Sequence, residues 1–292
     1  MARHSRQDRW AKGIWVLCAV GALLVFVLCP LWTVAYSFTG SGLLPRGQWV
    51  GLEQYARLWS SNRWLISVNN LAIYGAAMLP GALGIGCVLA ILLDQRIRAE
   101  GVFRTILLYP YALSFVVTGL AWQWLLNPDF GLQTVVGLGG TGFAPLSDPD
   151  WAIAGVLMAG LWQGSGIVTV LVLAGLRSID DDIWMAARLE GIPAWKSYLF
   201  IALPMLRPIL ATAAVLIAAS AVKLFDLVVA LTDGGPGLST EVPAKYVYDM
   251  MFENQNLGQG FAASTMMLVL VLVVLLPWMI VTMRAGRHDQ HR

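Results

Sequence analysis

The chain has 292 residues, 58% of them hydrophobic and 12% charged, with a formal net charge of +2 and a mean hydropathy of +0.68. Soluble domains carry about 25% charged residues, so this balance excludes a soluble globular enzyme and marks an integral membrane protein; so small a net charge is no nucleic-acid footprint. Cys18, Cys29 and Cys87 all fall in apolar runs at no spacing that suggests a disulfide framework or a metal site.

A membrane-spanning helix needs about 20 mostly apolar residues, and six runs meet this: 13–38, 64–93, 105–126, 151–173, 206–231 and 260–283. They are continuously apolar and do not alternate, which favours helices over barrel strands. The first is too long for a cleaved signal and lacks a small-residue cleavage site, so it stays as a span. The second carries the small-residue stripe Ala82, Gly86 and Ala90, and the fourth carries Gly160 and Gly164, spacings that let helices approach closely. Pro80 and Pro110 are candidate kinks.

Fourteen Lys and Arg residues lie before the first span, after the second, after the fourth and after the sixth; four lie in the segments 39–63, 127–150 and 232–257, and Lys223 lies inside a span. By the positive-inside rule both termini are cytoplasmic.

Polar groups in hydrocarbon usually face the bundle interior or an aqueous pathway. Asn69, Asn70, Gln163, Ser165, Lys223 and Asp226 are therefore candidates for the substrate pathway. The bland alternative for Asn69, Asn70 and Gln163 is interhelical hydrogen bonding. For Lys223 and Asp226, three apart on one predicted helix face, it is a self-neutralising pair near the membrane boundary.

The longest cytoplasmic connection, 177–202, carries helix punctuation. Ser178 and Asp180, Asp181 and Asp182 offer N-cap acceptors and negative charge at a helix start; good helix formers follow to Glu190; Gly191 sits at the expected C′ position and Pro193 bars continuation. A helix this short is unstable alone in water, so it rests either on its own bundle or on a partner. Ala186, Ala187 and Gly191 would permit close approach, with Met185, Arg188 and Glu190 around them.

Met185-Ala186-Ala187, Glu190-Gly191-Ile192, Tyr198, Ile201, Leu203-Pro204 and Pro208 fall at every spacing of a cytoplasmic signature, Glu-Ala-Ala, Asp-Gly-Ala, Phe, Ile, Leu-Pro, Pro. The chain thereby resembles the permease subunit of a type I ABC importer of the carbohydrate-uptake family, the maltose, lactose and glycerol-phosphate permease type. Phe225-Asp226, Leu231-Thr232, Gly234-Gly235-Pro236 and Ser239-Thr240 resemble the first permease of such importers. Phe103-Arg104-Thr105, Pro110, Trp124, Asn127 and Gly131 look like the family's third-span segment. Met185 stands where the family has Glu, and Tyr198 where it has Phe.

The resemblance implies an all-α membrane protein of six transmembrane helices with the type I ABC importer transmembrane fold. Residues 1–63 would be an N-terminal tail, first span and outer loop, 64–283 the transporter domain with its coupling loop at 177–202, and 284–292 a cytoplasmic tail. The short helix would be a coupling helix, with Met185, Ala186, Ala187, Arg188, Glu190 and Gly191 meeting a cytoplasmic ATPase dimer. A second permease subunit and a periplasmic or lipoprotein sugar-binding protein complete the implied assembly in the cell inner membrane, moving a mono- or disaccharide of glucose or maltose type. This chain would hold no cofactor, ATP and Mg being bound by the ATPase; no phosphate-binding Gly-rich loop with Lys-Ser/Thr occurs in it. The alternative is an ion-coupled secondary transporter, disfavoured because Asp226 is the lone carboxylate well inside a span.

Overall fold

A computed structural model describes residues 2–45, 47–95, 100–135 and 144–289, with side chains over 15–45, 47–95, 101–132, 134 and 144–276. Arg46, Arg96, Arg98 and Arg292, which enter the orientation argument, lie outside the described residues. The regular elements among the described residues are helices: α1 (Ala2–Tyr36), α2 (Glu53–Ser60), α3 (Asn62–Asp94), α4 (Glu100–Ala112), α5 (Phe115–Leu125), α6 (Leu132–Val135), α7 (Ala152–Leu176), α8 (Asp181–Leu189), α9 (Ala194–Lys196), α10 (Leu203–Met205), α11 (Arg207–Val222), α12 (Asp226–Leu231), α13 (Pro243–Tyr248) and α14 (Leu257–Asp289). π-helical turns cover Ser197–Ala202 and Asp249–Glu253.

Four helical segments are long and apolar enough to cross a membrane singly: Trp15–Tyr36, Asn62–Asp94, Ala152–Leu176 and Leu257–Leu276. Two bent pairs raise the count to six: Gly101–Ala112 with Phe115–Leu125, and Ala194–Met205 with Arg207–Val222.

The chain divides into two compact units, Met1–Ser61 with Val247–Met266, and Asn62–Tyr246 with Met267–Arg292. The first unit takes in the start of the last span as well as the N-terminal residues. Within this first unit Trp32 and Tyr36 meet Phe261 at ring-centroid distances of 5.3 and 6.1 Å. Gln54 donates to the Thr39 carbonyl at 3.2 Å, and the Gly258 amide donates to that of Ser41 at 2.8 Å.

The second unit is built on α3 and α7, which make its most extensive helix contact, with α4 and α11 against them and α12 against α5. The small-residue stripes expected in the second and fourth spans make this contact. Ala82, Gly86 and Ala90 are all buried, and a Cβ on Gly86 would stand 2.5 Å from the Val168 Cβ. Gly160 and Gly164 of α7 reciprocate by admitting Tyr74 and Met78 of α3. Tyr74, Met78, Leu93, Val156, Val168, Val172, Leu176, Ala213, Ile217 and Leu227 fill the core around this seam.

The third and fifth spans are not the continuous rods expected over 105–126 and 206–231. The third turns by 105° between α4 and α5. Pro110 lies in the last turn of α4 without an amide to donate, Ser114 is extended, and its Oγ accepts from the Val117 amide at 3.3 Å to start α5 afresh. Gln163 of α7 donates to the Leu113 carbonyl at 2.6 Å, satisfying a backbone group at the break that lipid could not. The fifth is bent by 74° at Leu206 and ends again at Lys223. There the amides of Lys223 and Leu224 bond three residues back, to Ser220 and Ala221, tightening the last turn before α12 restarts at Asp226. Pro80, by contrast, leaves α3 in one piece.

Two outcomes follow for stability. Gly86→Val, which overpacks the seam, lowers stability by about 1–3 kcal/mol, read as a lower Tm of the detergent-solubilised protein; Gly84→Ala, whose Cβ meets nothing within 4 Å, does not lower it. Gln163→Leu strands the Leu113 carbonyl and costs about 1–3 kcal/mol in the same assay.

Candidate functional site

Helix α8 forms as its sequence dictates. The Asp180 carboxylate accepts from the Asp182 amide at 3.1 Å as N-cap, and Asp181 and Asp182 put negative charge at the positive end of the helix dipole. At the other end Gly191 has φ +68, a left-handed conformation cheap only for glycine. The Ile192 amide donates to the Ala187 carbonyl at 3.0 Å and that of Gly191 to the Arg188 carbonyl at 3.1 Å, the paired bonds of a Schellman terminus. Ser178 does not cap α8; its hydroxyl donates to the Gly175 carbonyl at 2.7 Å, closing α7.

The faces of α8 divide differently from the expectation. Ala187 is 5% exposed and points into a small apolar hollow of its own chain, shared with Ile179, Ile183, Trp184, Ile201 and Ala202. It therefore does not offer itself to a partner: its missing bulk lets α8 sit down on the returning limb. Met185, Ala186, Arg188, Glu190 and Gly191 are exposed, and Leu189 is 89% exposed. A short, doubly capped helix thus presents an apolar tip of Met185 and Leu189 between Arg188 and Glu190.

Beside α8 lies a cleft of about 460 Å³ bounded by Asp94, Gln95, Arg177, Trp184, Arg188 and Tyr198 among others. The Tyr198 hydroxyl donates to Asp94 Oδ2 at 2.7 Å and accepts from Gln95 Nε2 at 2.9 Å, while its ring lies 5.1 Å from that of Trp184. Sequence reading placed Tyr198 only as a replacement for Phe; its hydroxyl partner is 104 residues away along the chain, beyond any local pattern.

The six polar candidates of the spans separate into distinct roles. Asn70 is 7% exposed and donates to the carbonyls of Leu238 and Glu241 at 3.0 and 2.9 Å. With the Arg63 guanidinium, which reaches Glu241 Oε1 at 3.0 and 2.8 Å, it pins the connection after α12 to the start of α3. Gln163 holds the Leu113 carbonyl, and the buried Ser165 donates to the Trp162 carbonyl at 3.4 Å. Asn69 is exposed. Lys223 and Asp226 do not share a helix face: one ends α11, the other opens α12, both are exposed, and among the described residues no ion pair joins them. The break turns Leu224, Leu227 and Val228 into the core and leaves the charges outside it.

None of these six lines the cleft formed by the α5 and α12 ends, about 350 Å³, where Gln123, Asn127, Ser147, Thr232 and Asp233 converge. Asp233, at φ 51, also meets the Lys245 ammonium at 3.4 Å. Asn127 and Thr232 stood in the sequence motifs; Gln123 and Asp233 carried no signal.

Residues 82–284 match the family model described as the inner membrane component of binding-protein-dependent transport systems. A probable ABC transporter permease protein of Pyrococcus horikoshii is 36% identical over 268 residues, 90% of this chain and 91% of that protein. The xylose/arabinose import permease protein of Haloferax volcanii is 34% identical over 258 residues, covering 86% and 81%. A crystal structure of a bacterial ABC transporter that imports the acidic polysaccharide alginate superposes with a TM-score of 0.81 at 19% identity, over 95% of this chain and 96% of that one. This likeness shows the shared fold of type I ABC importer permeases.

The family supersedes the ion-coupled carrier alternative and places ATP hydrolysis in a separate subunit. With the doubly capped α8, the bent spans and the matched length in view, the chain belongs to the inner membrane components of binding-protein-dependent transport systems, as a non-catalytic, multi-pass permease subunit of a carbohydrate ABC importer.

Proposed function

We propose that this permease, paired with a second permease subunit, conducts a mono- or disaccharide of glucose or maltose type inward across the membrane, driven through α8 by a cytoplasmic ATPase dimer. ATP and Mg are held by that dimer, and a periplasmic or lipoprotein sugar-binding protein delivers the sugar. The basic-residue bias supports a cytoplasmic location for both termini and α8.

The observation that carries this reading is the tip of α8. An almost fully exposed Leu189 beside a half-exposed Met185 is an apolar knob held out by a capped helix whose other face is seated on its own chain. Such a knob suits a cleft in a soluble partner, with Arg188 and Glu190 setting orientation at the rim. Family membership supports an ATPase as that partner. The absence of a carboxylate at position 185 leaves apolar contact as the main attachment there.

Relatives and structural neighbours handle sugars from pentoses to an acidic polysaccharide. A small neutral sugar is favoured here by the cleft at the α5 and α12 ends, whose volume fits one small ligand. Its Gln123, Asn127 and Thr232 side chains suit hydroxyl groups.

Leu189→Asp leaves membrane insertion intact but abolishes co-purification of the ATPase and sugar uptake. Normal ATP-driven uptake by the well-inserted variant is the result that refutes the docking role. Uptake by the reconstituted importer across a sugar panel is highest for neutral mono- or disaccharides, and selective uptake of uronic-acid oligomers refutes that substrate class.

A further inference from the structure

Helix α3 is tied by side chains at both ends. At its last residue Asp94 receives the Tyr198 hydroxyl. Its first turns hold the connection after α12 through Arg63 on Glu241 and Asn70 on the carbonyls of Leu238 and Glu241. The whole helix is 33 residues long, about 50 Å at 1.5 Å per residue, and packs along α7.

Tyr198 itself faces two ways. Its ring packs near Trp184 of α8, and its hydroxyl makes a charge-assisted bond to α3, a class of hydrogen bond about twice as strong as a neutral one. The phenol ionises near pH 10 in the absence of perturbation, so at neutral pH it is the donor and Asp94 the acceptor. Phenylalanine, the residue of the signature this loop resembles, would keep the ring and lose the bond. The ring meets Trp184 of α8, whereas the hydroxyl serves the link to α3.

We infer that Tyr198 is a positioning residue for transport, whose hydroxyl on Asp94 fastens the α8 limb to α3 so that displacement of α8 is delivered along α3 to the connection held by Arg63 and Asn70. This rests on α8 being the coupling element. Without the bond, α8 moves against α3 rather than with it, and ATP hydrolysis is spent without sugar movement.

The test uses the complete importer in proteoliposomes, with sugar moved per ATP hydrolysed as the readout. Tyr198→Phe and Asp94→Ala each lower that ratio about fivefold, with the ATPase still bound, and the double variant is no worse than either alone. Wild-type ratios in the single variants overturn the inference. So do uptake and hydrolysis that fall in proportion, which is the signature of a merely structural role, and effects that multiply in the double variant.

Leu189→Asp run in parallel separates the two readings. Its loss of the ATPase alongside a wild-type ratio in Tyr198→Phe overturns the tie alone; its retention of ATPase and uptake overturns the coupling reading and the tie with it.

Discussion

A helix pair in a membrane gains little from burying apolar side chains, because lipid is as apolar as leucine; what holds it is close packing and the satisfaction of polar groups. The α3 and α7 seam is the instance on which the second unit depends. Gly86 against Val168, and Gly160 and Gly164 against Tyr74 and Met78, let the two longest helices of that unit interlock. Other segments of the unit lean on this pair: α4 and α11 pack on it, and α12 reaches it through α5 and α7.

With the seam in place, the unit can carry irregular backbone where a lone helix could not. The turn at Leu113 and Ser114 exposes a carbonyl that Gln163 of α7 satisfies, and the second break, at Lys223, is paid for by burying Leu224, Leu227 and Val228. The same economy appears at the start of α3, where Asn70 and Arg63 fix the loop after α12. Asn70 and Gln163, which sequence logic offers as substrate ligands or as interhelical hydrogen bonds, are here braces of a bent architecture. The convergent polar groups lie instead at the α5 and α12 ends.

The α8 limb unites local rules with distant contact. Asp180 and Gly191 make the helix, Ala187 seats it, and the tip of Met185 and Leu189 stays exposed. Tyr198 then connects the limb to α3 through a hydroxyl that the family signature does not call for.

The sequence alone determined what depends on neighbours along the chain. Twenty-residue apolar runs announced the spans because bilayer thickness and helix rise demand that length; the caps of α8 were legible because Asp180 and Gly191 act on amides and carbonyls within a few residues. That the second and fourth spans carry faces fit for close approach was legible too, since four-residue repeats of small side chains leave a flat face; that the two faces meet each other was not. Tertiary structure decided what depends on residues far apart. Whether Gln163 and Asn70 served substrate or backbone turned on carbonyls 50 and about 170 residues away. Whether Lys223 could meet Asp226 turned on a helix break driven by core leucines, and which way Ala187 pointed turned on the limb beneath it. Periodicity along the chain assigns a residue to a face; only the packed partner gives that face its neighbour.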